Sequence, residues 1–107
     1  MSTFGKKLDK ISLLDFDDLI IFTLLHEGCS YIYISKFLML TPPAISHRLL
    51  KYIEIFGNEI YDREGTKKVL SVIGLEIAKR AKKALCILTE QEDDFLFKDS
   101  KTILLAS

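Results

Sequence analysis

The residues best equipped for chemistry fall in two short stretches. The first, 41–51, reads Thr-Pro-Pro-Ala-Ile-Ser-His-Arg-Leu-Leu-Lys, with hydroxyls at Thr41 and Ser46, an imidazole at His47 and cations at Arg48 and Lys51. The second, Gly65-Thr66-Lys67-Lys68, sets a hydroxyl and two cations beside a glycine, with Arg63 just upstream. Such donors suit anionic oxygens and base edges, as in phosphate and nucleic-acid contacts. Thr41 and Ser46 either donate to phosphate near a helix N-terminus or cap and pack. Arg63 either meets phosphate or holds an ion pair with Glu59 or Glu54.

Bond-making chemistry finds no such support. His26 and His47 have no partners at metal-ligand spacing. No nucleophile–base pairing, phosphate-cradling glycine loop or paired-carboxylate site is present. Cys29 and Cys86 are too few and too far apart for a disulfide framework or a CxxC site, and read as small buried residues in a reducing cytosol. The expectation is a protein that is not an enzyme and uses no metal or cofactor.

Local signals define the elements that must carry these groups. Segment 16–26, FDDLIIFTLLH, reads as a helix capped by Asp15, with Asp17 and Asp18 near its positive end and Gly28 closing it. It is apolar nearly all round, so a partner surface is expected to cover part of it. Ser30 starts a short helix through YIYISKFL to about Met39, although its β-branched and aromatic residues equally suit a strand.

Thr41 then caps a helix over 43–56 by accepting from the Ala44 amide, with both prolines in the first turn. Ile45, Leu49, Tyr52, Ile53 and Phe56 form its core stripe, and Pro43, Ala44, His47, Lys51 and Glu54 point the other way with Arg48 on the flank. Gly57 ends that helix. Residues 59–63 and 67–71 alternate about Glu64-Gly65-Thr66 as a small hairpin. Ser71 caps a last helix over 72–91, whose stripe is Leu75, Ala78, Ala81, Lys82, Leu85 and Leu88, with Lys79, Arg80 and Lys83 facing solvent. The remainder, 92–107, begins acidic and ends strand-like at 101–106.

The whole chain has 107 residues, 49% hydrophobic, with 15 basic and 15 acidic side chains. That length gives one domain over 1–91 with a tail. Zero net charge looks adverse to nucleic-acid binding, but the charge is unevenly placed. Residues 36–83 hold ten basic and five acidic groups, whereas 1–35 and 84–107 net −2 and −3. The basic centre coincides with the helix 43–56 and the hairpin. The longest apolar run, 19–25, is seven residues, far below the ~20 of a spanning helix, so a cytoplasmic protein without membrane contact is expected.

Residues 30–74 resemble the DNA-binding domain of LysR-type transcriptional regulators. The family pattern Ser-Gln-Pro-Ala-(Val/Ile)-Ser is met by Thr41-Pro42-Pro43-Ala44-Ile45-Ser46, and its Leu-Gly pair by Phe56-Gly57. Its Leu-Phe-x-Arg strand is met by Ile60-Tyr61-Asp62-Arg63, followed in register by Gly65, Leu70-Ser71 and Gly74. Pro42 stands where the family has Gln. Residues 101–107, KTILLAS, resemble the opening strand of the family's effector-binding domain.

The resemblance implies a mainly α winged helix-turn-helix, three helices and a β-hairpin wing, followed by a long linker helix that dimerises. Sequence-specific binding of double-stranded DNA as a homodimer in transcriptional regulation is then expected. The DNA contacts would be Thr41, Pro43, Ala44, Ser46, His47, Arg48, Lys51, Arg63, Thr66, Lys67 and Lys68. The dimer interface would take Phe22 and the stripe of helix 72–91. No small-molecule ligand is expected for this chain. The alternative is a protein-interaction module that pairs with a full-length LysR-type regulator, as a heterodimer, and binds little DNA itself.

Overall fold

A computed structural model describes residues 9–89. Residues 9–11 are helical, and from residue 16 onward four helices and one hairpin follow in the order α1 (Phe16–His26), α2 (Tyr31–Leu38), α3 (Pro42–Phe56), a 3₁₀ turn (Asn58–Ile60), β1 (Tyr61–Glu64), β2 (Lys67–Leu70) and α4 (Val72–Thr89). The chain is thus mainly helical with a small antiparallel sheet, an order compatible with a helix-turn-helix followed by a hairpin. None of the described helices is long and apolar enough to cross a membrane.

Capping chemistry sets the helix starts. Asp15 accepts from the Asp18 amide while Asp18 accepts from the Asp15 amide, each at 2.9 Å, a reciprocal capping box. Ser30 takes the Tyr33 amide at 3.1 Å and Thr41 the Ala44 amide at 3.2 Å. Both prolines lie in the first turn of α3, where amides have no helical acceptor, so the helix begins at Pro42 rather than at 43. Ser71 Oγ accepts from the Gly74 amide at 3.1 Å and starts α4.

Segment 31–38 is a helix and not a strand. Tyr31, Ile34, Ser35 and Leu38 share its inner face at helical spacing, with Ile34 and Ser35 buried. Its end is fixed by Met39, whose φ of 57° is left-handed, and by mutual bonds between Ser35 and Leu40. Only Met39, Leu40 and Thr41 separate α2 from α3.

Helix α1 needs no second chain to cover it. Ile21, Phe22, Thr23 and Leu24 are all buried, because α4 packs along one side while α2 and α3 supply the rest. Phe22 is the hub, its ring centroid 4.5 Å from that of Tyr52 and 5.8 Å, edge-on, from that of Phe56. Ile34, Ile45, Leu49, Ile60, Ala78 and Ala81 complete this core. On α3, Ile55 is buried while Ile53 and Phe56 are half-buried, a slight rotation from the expected stripe.

The hairpin is shorter than its alternation suggests. Residues Asn58–Ile60 form a 3₁₀ turn where a strand is expected to begin, because Ile60 buries completely and its carbonyl accepts from the Ser71 amide at 2.9 Å. The strands pair Tyr61 with Leu70, Asp62 with Val69, Arg63 with Lys68 and Glu64 with Lys67. Gly65 (φ 68°) takes the first position of the two-residue turn, where type II′ geometry calls for a positive φ. The end of the last helix beyond residue 89, the acidic cluster Glu90, Glu92, Asp93 and Asp94, and the expected strand at 101–106 lie outside the described residues.

Candidate nucleic-acid interface

The outward face of α3 consists of Pro42, Pro43, Ser46, His47, Leu50 and Glu54, all exposed. Ala44 is half-buried and Thr41, though exposed, is committed to its cap. Pro43, Ser46 and His47 are therefore open to solvent at the N-terminal end of the helix, and Glu54 gives the other end a negative charge.

Arg48 and Lys51 are placed differently from the expectation, which sets them toward a ligand. Both turn to the start of α1. Arg48 Nη1 donates to the two carboxylate oxygens of Asp15 at 2.8 and 3.0 Å and to Asp18 Oδ1 at 3.0 Å. Lys51 Nζ donates to Asp18 Oδ2 at 2.7 Å and to the Leu13 carbonyl at 3.3 Å. Tyr52 Oη adds a 2.5 Å bond to Asp18 Oδ1. The physical reason is that residues 48, 51 and 52 share one helix face, and that face abuts a carboxylate with no access to water.

Asp18 is 0% exposed and receives four donors, counting the Asp15 amide, which fills a carboxylate's acceptor capacity. Burial pushes its pKa up, but the bonds from Lys51, Tyr52, Asp15 and Arg48 outweigh that and lower it from 3.8 to about 2. Burial and the bond to Asp18 push the Tyr52 hydroxyl well above its usual value. Burial alone would lower the Arg48 pKa, yet the bonds to Asp18 and Asp15 raise it.

Sequence reasoning assigns Asp18 only a helix-dipole role and misses this centre. The available signal is the Asp15-x-x-Asp18 box beside an Arg-x-x-Lys-Tyr spacing on another helix.

The hairpin retains its cations. Arg63 and Lys67 are exposed, Lys68 is half-buried, and none of the three forms an ion pair among the described residues. Arg63 therefore does not pair with Glu54 or Glu59. Thr66 is exposed in the turn.

Arg63 and Lys68 are register partners, so two like charges stand directly opposite on one face of the ribbon, an arrangement that costs stability unless an anion offsets it. They line a groove of about 330 Å³ together with Ile53 of α3, Asn58, Tyr61 and Asp62. Two tyrosines hold the ribbon in place: Tyr61 Oη donates to the Leu49 carbonyl of α3 and Tyr31 Oη to the Lys68 carbonyl, each at 2.9 Å. Burial pushes both hydroxyls up, so they remain donors.

The residues expected at a dimer interface divide into two sets. Phe22, Ala78, Ala81 and Leu85 are buried within the single chain, since the small residues of α4 let α1 lie close against it. Lys82 Nζ is 3.2 Å from Glu27 Oε2. Leu75 and Leu88 are exposed, at 40% and 67%, with Val72, Ile73 and Ile87 also open to solvent. Lys79, Arg80 and Lys83 are exposed, as expected. Among the described residues no group of three or more His, Cys, Asp or Glu is placed to hold a metal ion. Comparison with protein-family models, curated proteins and solved structures finds no match for this chain.

Proposed function

We propose that the chain is a winged helix-turn-helix protein of the LysR type that binds double-stranded DNA as a dimer in transcriptional regulation. The observation that carries this reading is the Arg63–Lys68 pair, two unneutralised cations held opposite each other on a ribbon bonded to the middle of α3. A DNA phosphate is the anion such a pair calls for. With the ribbon on the backbone, α3 offers Pro43, Ser46 and His47 to base edges in the major groove. Val72, Ile73, Leu75, Ile87 and Leu88 are the exposed apolar residues of α4 left for a second protomer.

With Arg48 and Lys51 engaged internally, Arg63, Lys67 and Lys68 remain as phosphate contacts in each protomer. Six contacts in a dimer give a log–log salt slope of roughly −5. The test is selection of bound duplexes from a random pool, followed by a salt titration on the winners. No enrichment and no salt-sensitive binding would sink the proposal.

A second reading is favoured by the apolar exposure on α4 and the withdrawn cations of α3: a module that pairs with a full-length LysR-type regulator and modulates it. Arg63→Ala with Lys68→Ala separates the two, since regulation in cells that survives this double change belongs to the protein-interaction reading.

A further inference from the structure

Arg48 and Lys51 are the only cations of α3, and the carboxylates at the start of α1 hold both. Those carboxylates are of two kinds. Asp18 is fully buried, with four donors on its oxygens. The Asp15 and Asp17 side chains are 57% and 42% exposed, and both approach the same guanidinium, Asp15 at 2.8 Å through Nη1 and Asp17 at 4.0 Å through Nη2. Three carboxylates thus face two cations, and the surplus negative charge lies on the solvent side.

Arg48 meets both Asp15 oxygens through the one nitrogen Nη1, so a phosphate diester that took Asp15's place there could also engage Nη2, which Asp17 approaches only to 4.0 Å. Ion pairs open to water are weakly held, so a phosphate can displace Asp15. Arg48 can also give up its 3.0 Å bond to Asp18, because Lys51, Tyr52 and the Asp15 amide still hold that carboxylate, whereas parting Asp18 from Lys51 as well would leave a buried charge without a cation.

We propose that Asp15 and Asp17 form an acidic clasp that occupies Arg48 in place of DNA phosphate, so that sequence-independent binding is weakened and Arg48 reaches the backbone only when the clasp opens. This rests on α3 lying at the DNA interface. The clasp places the control of non-specific affinity at the α1–α3 contact. Lys51 stays fixed as the structural partner of Asp18.

The test uses the full chain with Asp15→Asn and Asp17→Asn together, alone and combined with Arg48→Gln. Asn caps a helix as well as Asp does, and Asp17 alone, outside the cap bond, gives a second variant, Asp17→Asn, that leaves the cap intact. Fluorescence anisotropy on a selected duplex and on a random duplex is read across salt.

The expected result is tighter random-duplex binding by the double variant, roughly eightfold per protomer at about 0.1 M salt, with a slope steeper by about 0.9 per protomer. Asp17→Asn gives a smaller tightening, and Arg48→Gln reverses the double variant's gain while leaving the wild-type slope unchanged. The clasp is overturned if wild type binds DNA and the double variant matches it, or if the gain survives Arg48→Gln and is therefore mere loss of negative charge. A wild-type slope flattened by Arg48→Gln also overturns it, since Arg48 would already sit on phosphate. Failure of the wild type to bind any duplex overturns the DNA reading itself, a result distinct from all of these.

Discussion

Replacing Asp18 by Asn tests the centre that joins α1 to α3. The native carboxylate accepts from Lys51, Arg48, Tyr52 and the Asp15 amide. Asn keeps the size, but each carboxylate oxygen accepts two donors, so an amide NH2 in place of either one opposes two of the four bonds, and the two cations lose their counter-charge. Breaking a buried pair by removing one partner costs roughly 3–5 kcal/mol. Because the Arg48 and Lys51 side chains are 21% and 29% exposed and can take up water, the lower end applies, about 3 kcal/mol.

The ionisation of Asp18 supplies a separate measure of the same interaction. Its pKa falls from 3.8 to about 2 on folding, and at 1.36 kcal/mol per unit that corresponds to about 2 kcal/mol. Since the folded value is the lower one, this stabilisation is complete above the unfolded value. It is lost as pH falls through 3.8 toward about 2. Urea unfolding followed by far-ultraviolet dichroism, for wild type and Asp18→Asn, measures both effects. The gap between the two proteins should be about 3 kcal/mol near neutrality and should narrow by about 2 kcal/mol at the acid end. A gap that does not change with pH, or an Asn variant as stable as wild type, refutes the assignment of Asp18 as an ionised anchor.

Other outcomes follow from particular contacts. A Cβ at Gly74 would lie 2.2 Å from the Ile60 carbonyl oxygen and 2.9 Å from Leu70 Cδ2, so Gly74→Ala should cost about 1–3 kcal/mol or more by overpacking, read as a lower urea midpoint. Leu85→Asp buries a carboxylate inside the chain and should abolish cooperative unfolding, whereas Leu88→Asp, at an exposed site, should leave the chain folded with a cooperative transition and reduce self-association in sedimentation. Inorganic phosphate should raise the thermal midpoint of the wild type and not that of Arg63→Ala with Lys68→Ala, because relief of like-charge repulsion removes the benefit of the anion. An equal rise in both proteins would refute a phosphate site on the ribbon.

Much of the fold is legible in the residues because its signals are local. Asp15, Ser30, Thr41 and Ser71 each act on an amide three residues away, and Gly57 and Gly65 adopt their positive φ within the turns they occupy. The 3.6-residue period finds Ile45, Leu49 and Tyr52 as the inner face of α3 without reference to what lies beneath them. The hairpin's cations are also legible, since a short exposed ribbon has little else to bury them against.

What escapes the sequence depends on which helix meets which. The apolar girth of α1 suggests a second chain, but α4 lies along α1 and covers it with Ala78 and Ala81, leaving Leu88 outside. Arg48 and Lys51 look like ligand contacts on a helical wheel, which has no knowledge of a carboxylate thirty residues upstream. Sequence by itself determined the helix caps, the turns and the cationic ribbon, since each of these is settled by neighbours within a turn or two, whereas the helical state of 31–38 and the 3₁₀ turn at Asn58–Ile60 followed from what Ile34, Ser35 and Ile60 bury against. Only the tertiary structure decided that Asp18 gathers Arg48, Lys51 and Tyr52. A buried charge must find its partners in space, and packing brings those partners from 30 to 34 residues away.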